Sequence, residues 1–289
     1  MTVTVLAPAK INLTLDVTGR RDDGYHLIHT VMQSIDLCDR ITVKETGTGD
    51  ITLDVSDERV PSDERNTAYR AAQAFFAETA LPNPGIAIRV QKRIPMEAGL
   101  AGGSADAAGV LVALNILTDA RLETDELCRI GGKIGADVPF CVLGGAANAT
   151  GTGTILSPLP SMPDCWLTVA KPDVGVSTAE AYRRIDAAEI ERRPLNSAMT
   201  DALCGGELAE VGRLLCNVFQ EAVDLPEVAA IAHEMREQQT LGCAMTGSGS
   251  AVFGIFEEKA AAKRCADLLK RDGYTVFVCR PCTTGPVEE

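Results

Sequence analysis

The sequence predicts an α+β fold in two domains, and three observations lead to this prediction. The first third alternates apolar and polar residues in short runs, which is typical of strands that bury one face. A glycine-rich segment at residues 95–109 then passes directly into a helical pattern. Beyond a segment with three prolines, residues 157–164, the pattern order is strand, helices, two strands, helix and strand. That order fits a split β-α-β sandwich of the ferredoxin type, so we predict domains at residues 1–158 and 159–289.

The first domain is predicted to open with strands and to continue with three helices. Alternation predicts strands over residues 2–6, 11–17, 41–44, 51–55 and 85–91. Helical periodicity predicts helices over residues 66–79, 104–117 and 124–133, followed by a β-rich return over residues 141–156. The helix at 104–117 is apolar nearly all round, so we expect it to be central and buried.

The second domain is predicted to contain four strands and four helices. Ser177 and Glu180 form a capping-box pattern at the start of its first helix. A tight Gly-Ser-Gly-Ser turn joins two of its strands. The predicted strands cover residues 166–170, 243–246, 251–256 and 274–279, and the predicted helices cover residues 178–187, 201–215, 227–239 and 259–271.

Composition narrows the classes of partner. The chain has 289 residues, 46% of them hydrophobic, which is enough for a sizeable core. Its net charge of −13 argues against a nucleic-acid backbone or an anionic membrane as a general partner. No terminal segment resembles a targeting peptide, and the longest apolar run, residues 110–117, is too short to span a bilayer.

Ten scattered cysteines indicate a reducing, cytoplasmic setting with mostly buried thiols rather than a disulfide framework. The only C-x-x-C pair is Cys279 and Cys282, near a polar tail. It has no second pair and no nearby histidine, so we interpret it as incidental rather than as a zinc site.

The glycine-rich segment is the strongest single indication of a ligand site. Gly99, Gly102 and Gly103 fall within five positions and precede a helix. Glycine lets backbone amides turn toward a ligand, and a helix N-terminus adds unpaired donors, so this pattern suits a phosphate. The segment lacks the Gly-Lys-Ser/Thr of a P-loop and the G-x-G-x-x-G of dinucleotide folds. Alone, it fits equally well a buried turn that lets a helix pack closely.

Two polar positions stand out near the N-terminus. Lys10 interrupts an apolar strand pattern at residues 8–12 and reads either as a solvated edge lysine or as a functional one. Tyr25 and His26 end a polar turn at residues 19–26, and together they offer an aromatic face and a hydrogen-bonding ring that would suit a flat heterocycle.

Two further clusters lie downstream. Asp137 precedes Val-Pro at residues 135–140, which predicts an N-cap of a short helix. A fixed, ionised carboxylate is also what a kinase uses to orient an attacking hydroxyl. Residues 245–251 predict a hairpin turn whose glycines are able to approach a ligand phosphate.

Taken together, these clusters and the glycine-rich loop resemble the GHMP family of small-molecule kinases. The general pattern is the glycine-serine loop after a proline, residues 95–105. A narrower match, to one branch of the family, rests on P-A-K-I-N-L at 8–13, G-R-R-D-D-G-Y-H at 19–26 and G-A-D-V-P-F at 135–140. The resemblance covers essentially the whole chain. It implies the two-domain GHMP kinase fold, with an N-terminal domain like domain 2 of ribosomal protein S5 and a ferredoxin-like C-terminal domain.

The resemblance also implies an ATP-dependent phosphotransferase with an alcohol acceptor, using ATP and Mg²⁺. The narrower match implies a cytidine-diphosphate-linked methylerythritol as the small-molecule substrate, phosphorylated at its 2-hydroxyl for non-mevalonate isoprenoid biosynthesis. It implies no nucleic-acid or membrane partner and a monomer or homodimer. The alternative is a family member for homoserine or mevalonate, which should lack the pair Tyr25–His26.

Residue by residue, Asp137 matches the family's catalytic aspartate and Lys10 its companion. The implied substrate contacts are Asn12, Tyr25, His26, Thr178 and Tyr182, with Tyr25 and Tyr182 on the two faces of the base and His26 bonded to it. Ser104 is a phosphate or Mg²⁺ ligand. The implied ATP contacts are Asn66, Lys92, Pro95, Met96, Glu97, Ala98, Gly99, Leu100, Ala101, Gly102, Gly103, Ser104, Ala105, Gly247 and Ser248.

Ala101 departs from the family pattern, because many members have glycine there. A methyl group at this position predicts a negative φ. Asp106, two residues after Ser104, is not assigned to metal.

Two rival classes fit less well. Ser104, Asp137 and His233 follow the chain order of an α/β-hydrolase triad, but Asp106 stands where the nucleophile elbow needs glycine. A non-catalytic nucleotide-binding module on the same fold would need neither Lys10 nor Asp137.

Overall fold

The computed structural model describes residues 1–289 as two β-sheets with ten helices. The strands are β1 (Thr2–Arg20), β2 (His26–Glu45), β3 (Ile51–Val55), β4 (Ile86–Gln91), β5 (Ala146–Thr150), β6 (Ile155–Leu159), β7 (Trp166–Lys171), β8 (Cys216–Asn217), β9 (Gly242–Met245), β10 (Val252–Phe256), β11 (Thr275–Cys279) and β12 (Val287–Glu288). The helices are α1 (Thr67–Thr79), α2 (Gly102–Leu117), α3 (Thr124–Gly132), α4 (Val138–Leu143), α5 (Thr178–Ala187), α6 (Asn196–Gly205), α7 (Leu208–Leu214), α8 (Val218–Val223), α9 (Pro226–Glu237) and α10 (Lys259–Arg271).

The first sheet has eight strands and is built on a long antiparallel pair. Its main order is β12-β1-β2-β4-β3, and β5, β6 and β8 extend it from β2 and β1. The predicted strands at 2–6 and 11–17 are one strand, β1, whose pairing with β2 shifts register at three places. Most of β2 was not predicted, because Thr30, Gln33 and Ser34 are polar but buried and break the alternation.

The second sheet confirms the ferredoxin-type prediction. Its order is β11-β7-β10-β9, and all its neighbours are antiparallel. Helices α9 and α10 pack on one face, with Ile231, Met235 and Leu269 buried against Val252 and Phe256. The strands change sheet between Leu159 and Trp166, within the proline-containing segment. Ser157 still belongs to β6, and the boundary at residue 158 stays a prediction.

Two expectations about secondary structure are wrong in detail, and one helix was missed. Cys141 lies in helix α4, so the predicted β-rich return begins only at Ala146. The helix predicted at 201–215 is two helices, because Gly206 caps α6 in the left-handed region at φ 68°. Helix α8 was not predicted, since its six residues are too short to show a period.

The hydrophobic core encloses α2, the helix that follows the glycine-rich loop. Val110, Leu111 and Leu114 of α2 are fully buried, as the apolar pattern predicts. The same core cluster contains Leu167 and Phe253 from the second sheet, so apolar packing continues between the sheets. None of the ten helices is both long and apolar enough to cross a bilayer.

Candidate active site

A cavity of about 630 Å³ brings together most of the residues predicted for the site. Of the predicted residues, Tyr25, His26 and Ala105 do not line it. Those that do are Lys10, Asn12, Asn66, Lys92, Pro95, Met96, Glu97, Ala98, Gly99, Leu100, Ala101, Gly102, Gly103, Ser104, Asp137, Thr178, Tyr182, Gly247 and Ser248. The N-terminal half of the chain and the turn between β9 and β10 therefore share one site.

Lys10 and Asp137 face each other in this cavity. The Lys10 side chain is 5% exposed, so it is not a solvated edge lysine. Its Nζ lies 3.9 Å from Asp137 Oδ2 and donates to Asn12 Oδ1 at 2.6 Å. Asp137 is the N-cap residue of α4, as its sequence position predicts, but its side chain makes no capping bond. The carboxylate makes no hydrogen bond within the protein and is 36% exposed, which leaves it free to contact a ligand hydroxyl.

Asn12 connects the lysine to the second domain. Its Oδ1 accepts hydrogen bonds from Lys10 Nζ, from Thr246 Oγ1 at 3.2 Å and from the Gly247 amide at 2.9 Å. Its Nδ2 donates to Thr30 Oγ1 at 2.8 Å. An amide nitrogen has two hydrogens, so one donor remains for a ligand in the cavity. Asn12 thus fixes the Lys10 ammonium as well as lining the site.

Three residues of the glycine-rich loop, each two positions after the last, have a positive φ in the left-handed region. These are Glu97 at φ 49°, Gly99 at φ 71° and Ala101 at φ 58°. The expected negative φ at Ala101 is wrong, because Ala101 is the N-cap of α2 and must turn the chain into the helix. The helix begins at Gly102, so Ser104 is its third residue rather than its first.

The start of α2 offers unpaired donors to the cavity. The amides of Gly102, Gly103 and Ser104 have no acceptor within the protein, and the Ser104 hydroxyl has no partner either. Unpaired amides at a helix N-terminus, with the helix dipole behind them, bind phosphate. The geometry therefore favours a phosphate cradle over a simple packing turn.

The loop is held from both domains. Lys10 N donates to Leu100 O at 3.2 Å, and Ala251 N donates to Ala98 O at 3.2 Å. Thr246 Oγ1 also lies 3.3 Å from Gly99 O, so its one hydroxyl proton is shared between Gly99 O and Asn12 Oδ1. Gly99 lies so close to the turn that a Cβ there would be 2.0 Å from Thr246 O. Only glycine fits this position without moving the loop.

Lys92 forms a buried ion-pair cluster beside the loop. Its Nζ donates to Asp106 Oδ2 at 2.7 Å and contacts Asp39 Oδ2, and all three side chains are at most 8% exposed. Burial alone would lower the pKa of Lys92, but the Asp106 and Asp39 carboxylates outweigh it and raise the pKa. Burial raises the pKa of Asp106 to about 8, and its Oδ1 is the only buried side-chain polar atom without a partner.

This cluster explains two features of the sequence. Asp106 is a charged residue inside an apolar helix, which was the available signal for a buried ion pair. A Cβ at Gly102 would lie 3.3 Å from Lys92 Nζ, so the lysine passes close over the first turn of α2 to reach Asp106. The ion pair joins the two ends of the loop, since Lys92 precedes it and Asp106 follows it.

Asp106→Asn is expected to flatten the pH dependence of stability. The pKa of Asp106 is raised in the folded protein, so the folded state keeps a proton that the unfolded chain loses above about pH 4. That stabilising contribution is complete below about pH 4 and is lost as pH rises through about 8. Between about pH 6 and about pH 9, the Tm of the wild type should therefore fall relative to that of the variant. Thermal unfolding at both pH values measures this, with exposed Asp201→Asn as the control; parallel Tm profiles for wild type and Asp106→Asn would contradict it.

Asn66 and Thr67, at the start of α1, line the cavity beside the start of α2. Asn66 is the N-cap of α1: its Oδ1 accepts from Ala68 N at 2.8 Å, and its Nδ2 donates to Pro61 O at 2.6 Å. Thr67 Oγ1 donates to Gly103 O at 2.6 Å, which ties α1 to the start of α2. Asn66 therefore has a structural role in addition to lining the cavity.

Three aromatic rings and a carboxylate form a second cluster at the edge of the cavity. The His26 ring stacks on Tyr182 at 4.4 Å, and Tyr182 meets Phe219 edge-on at 5.0 Å. His26 Nε2 is 2.7 Å from Asp186 Oδ1. Because His26 and Tyr182 stack directly, a base cannot lie between them in this conformation. Tyr25 is 66% exposed, so its ring is free to cover a ligand.

Phe219 and Asp186 were not among the predicted site residues. Phe219 lies in the unpredicted helix α8, and Asp186 is an ordinary polar residue of α5 in the sequence. Burial, followed by the charge of Asp137, raises the pKa of the Tyr182 phenol to about 12. Tyr182 is therefore neutral beside the catalytic candidates.

The turn between β9 and β10 completes the site. Asn217 Nδ2 donates to Met245 O at 2.7 Å and to Gly247 O at 2.9 Å. Thr178, at the start of α5, has its hydroxyl 3.4 Å from Ser248 Oγ. Ser177 caps α5 by accepting from Glu180 N at 3.2 Å, which is one half of the predicted capping box; the Glu180 carboxylate pairs with Arg184 instead of returning to the Ser177 amide. Ser248 and Thr178 therefore lie together at the cavity, beside Gly247, which packs against Gly99 of the loop.

The rival predictions lose support from this geometry. His233 is exposed on α9 and does not line the cavity, so it forms no triad with Ser104 and Asp137. Cys279 and Cys282 are free thiols, and burial raises the pKa of each to about 12. Such thiols are protonated and unreactive near neutral pH.

A free-amide helix start beside a lysine–aspartate pair, on this two-sheet fold, is the arrangement of a small-molecule kinase. The GHMP kinases N terminal domain matches residues 66–145, and the GHMP kinases C terminal domain matches residues 199–275. The chain belongs to the GHMP kinase family and is an enzyme of the kinase class of phosphotransferases. The predicted family resemblance and fold class are thereby confirmed.

Within that family, the chain is similar to one kind of kinase over nearly its whole length. It is 44% identical over 266 residues to the 4-diphosphocytidyl-2-C-methyl-D-erythritol kinase of Caldicellulosiruptor saccharolyticus, covering 91% of each chain. It is 44% identical over 283 residues to that of Exiguobacterium sibiricum, covering 97% of this chain and 98% of the other.

Solved structures agree with this similarity. A crystal structure of 4-(cytidine 5'-diphospho)-2C-methyl-D-erythritol kinase superposes with a TM-score of 0.81 at 36% identity, covering 96% of this chain and 98% of the other. A homoserine kinase from Cytophaga hutchinsonii superposes with a TM-score of 0.78 at 20% identity, covering 100% and 97% of the two chains. At that identity the second likeness concerns the fold alone.

Proposed function

We propose that this enzyme transfers the γ-phosphoryl group of ATP to the 2-hydroxyl of 4-diphosphocytidyl-2-C-methyl-D-erythritol. The observation that carries the proposal is the placement of the Lys10–Asp137 pair in the same cavity as the free amides of α2. The similarity to relatives named for this substrate supports the choice of acceptor. The product belongs to non-mevalonate isoprenoid biosynthesis, and we propose a cytoplasmic location and a monomer or homodimer.

On the donor side, the free amides of Gly102, Gly103 and Ser104 bind the phosphates of ATP. Asn66 and Lys92 border the adenosine end of the cavity. The Lys92 ammonium is already bonded to Asp39 and Asp106, so it shapes this wall and does not compensate phosphate charge. Residues 95–105, with Gly247 and Ser248, enclose the triphosphate.

The residues present fit Mg²⁺ bound together with ATP rather than a preformed metal site. No group of three or more histidine, cysteine or acidic side chains is arranged to hold a metal ion. Mg²⁺ in kinases is commonly held by substrate phosphates and water with one or two protein ligands. The unpaired hydroxyl of Ser104 is the protein ligand available here, and the ion supplies neutralisation of phosphate charge.

On the acceptor side, Asp137 accepts or orients the proton of the attacking hydroxyl. Lys10 holds the carboxylate and the hydroxyl in register through its fixed ammonium, which Asn12 anchors at 2.6 Å. Phosphoryl transfer passes through a loose transition state, so positioning and charge supply most of the catalysis. Asn12 and Thr178 contact the methylerythritol unit, while Tyr25, His26 and Tyr182 bind the cytosine.

An ATP-dependent phosphorylation assay tests the proposal directly. The enzyme is offered the diphosphocytidyl substrate, homoserine and mevalonate in parallel. We expect turnover with the first alone, because only that substrate has a base for Tyr25 and His26. Turnover with homoserine or mevalonate, and none with the diphosphocytidyl compound, would overturn the proposal.

His26→Ala is expected to weaken the use of the cytidyl substrate more than the use of ATP. In the proposed complex the ring bonds the base, and in the structure it stacks on Tyr182, away from the glycine-rich loop. We expect the KM for the cytidyl substrate to rise by about tenfold or more, with the KM for ATP changed less than about threefold. Equal effects on both substrates would contradict the cytosine assignment. His29→Ala serves as the control, since His29 bonds Asn148, away from this cluster.

A further inference from the structure

We propose that Asp186 selects cytosine over uracil by keeping the proton of the His26 ring on Nε2. This inference rests on the proposed function, because it concerns the base of that substrate. Asp186 acts through His26 and is therefore a positioning residue. The inference rests on two contacts of the His26 imidazole, which lies at the start of β2. The Tyr182 ring stacks on it and the Asp186 carboxylate bonds it, and both residues belong to α5.

Helix α5 presents two neighbouring groups to the His26 ring. Tyr182 and Asp186 are four residues apart on α5, so they lie one above the other on one helix face. Tyr182 stacks on the imidazole with an interplanar angle of 22°. Asp186 Oδ1 meets the edge of the same ring, 2.7 Å from Nε2. Stacking fixes the plane of the ring, and the carboxylate fixes its rotation within that plane.

The carboxylate is itself held from the other side. Arg20 Nη1 donates to Asp186 Oδ2 at 3.3 Å, and Arg20 Nε donates to Gly24 O at 3.1 Å. The arginine thus joins the turn before His26 to the aspartate that bonds it. Asp186 has one oxygen for the guanidinium and one for the imidazole.

This arrangement determines which nitrogen of His26 carries the proton. A carboxylate at neutral pH only accepts hydrogen bonds, so Nε2 must be the donor. In a neutral imidazole the other nitrogen, Nδ1, is then an acceptor. Nδ1 has no partner in the protein. Nδ1 is also accessible to solvent. The only side-chain polar atom that is both buried and unpaired is Asp106 Oδ1, so the unpaired Nδ1 of His26 is not buried.

An open acceptor distinguishes the two pyrimidines at position 4. Cytosine has an amino group there, which donates, whereas uracil has a carbonyl oxygen, as thymine does, which accepts. His26 Nδ1 therefore bonds the amino group of cytosine and opposes the carbonyl of uracil. Without Asp186, the ring is free to place its proton on Nδ1 and to bond uracil instead. The selectivity comes from the tautomer, and Asp186 sets the tautomer.

The activity test compares kcat/KM for the cytidine substrate and its uridine analogue. We expect wild type to favour cytidine, and Asp186→Asn to reduce that ratio by about tenfold or more, since an amide can donate as well as accept. Asp186→Glu should recover part of the ratio, because it restores a carboxylate acceptor. Glu180→Gln is the matched control: Glu180 lies on the same helix and pairs with Arg184 at 2.9 Å. An unchanged ratio in Asp186→Asn would overturn the inference.

A spectroscopic readout separates this inference from the proposed function. The chain has only three histidines, so the ring nitrogens of His26 can be assigned by long-range ¹H–¹⁵N NMR with His26→Ala as reference. We expect protonated Nε2 and bare Nδ1 in wild type, and a mixture of tautomers in Asp186→Asn. A proton on Nδ1 in wild type would overturn the inference. Loss of turnover with every substrate would overturn the proposed function, while the tautomer result would still decide the role of Asp186.

Discussion

Asp137→Asn is expected to lower kcat by at least ~10²-fold while the fold stays intact, because a positioned acid–base group contributes about that much. The carboxylate makes no hydrogen bond within the protein and does not cap α4, so the change leaves no structural donor unpaired. Asparagine has nearly the same shape but neither accepts a proton nor carries the charge that faces Lys10. The effect should therefore fall on kcat, with KM for ATP little changed.

Steady-state kinetics and thermal unfolding of the same preparation measure this effect. A Tm close to that of wild type, together with the loss of kcat, shows that the effect is chemical. Exposed Asp125→Asn on α3 serves as the matched control and should keep wild-type kinetics. Turnover at the wild-type rate in Asp137→Asn would refute the role of Asp137. A large fall in Tm would instead show that the Lys10–Asp137 pair is mainly structural.

Gly99→Ala is expected to raise the KM for ATP by about tenfold or more and to lower stability. The new Cβ would lie 2.0 Å from Thr246 O, so the loop or the turn must shift. Overpacking of this kind typically costs about 1–3 kcal/mol. The displacement also separates the free amides of α2, to which we assign phosphate binding, from Gly247 and Ser248. The higher KM for ATP and the lower stability therefore have the same cause, the added methyl group at residue 99.

The chain offers a control that separates steric clash from backbone strain. Gly206 has φ 68°, close to the 71° of Gly99, but a Cβ there would meet nothing within 4 Å. Gly206→Ala therefore carries the strain of a left-handed alanine without the clash. Thermal unfolding and ATP titration calorimetry on both variants measure the difference. Equal losses of Tm and unchanged ATP affinity in both variants would show that the contact with Thr246 does not position the loop.

Much of the fold followed from local pattern. The burial of α2 and the β-α-β order of the second sheet were predicted, because periodicity records which face of an element leaves water. Strand β2 was largely missed because Thr30, Gln33 and Ser34 are buried polar residues. The side chains of Thr30 and Gln33 are satisfied by partners in other parts of the chain, such as Thr14 O and Gly145 O. Alternation cannot record burial of this kind.

The site, like the fold, was predicted only in part. The sequence predicted that Lys10, Asp137 and the glycine-rich loop belong to one site, but only as a family resemblance. It also predicted a capping role for the Asp137 side chain and a negative φ at Ala101, and both are wrong. In each case a tertiary constraint outweighed the conformation or the hydrogen bond that the residue prefers locally. The chain must turn into α2 at Ala101, and the Asp137 carboxylate faces Lys10 rather than the amides of α4.

The sequence by itself determined the family, the order of most of the elements and the presence of a glycine-rich loop before a buried helix. These are recorded in spacing and periodicity, which depend on neighbours within a few turns. Only the tertiary structure decided that Lys92 is enclosed by Asp39 and Asp106 and that Asp186 bonds His26. The physical reason is that these side chains meet across sheet, loop and helix. Which charge meets which depends on how the core packs, and no local pattern along the chain carries that information.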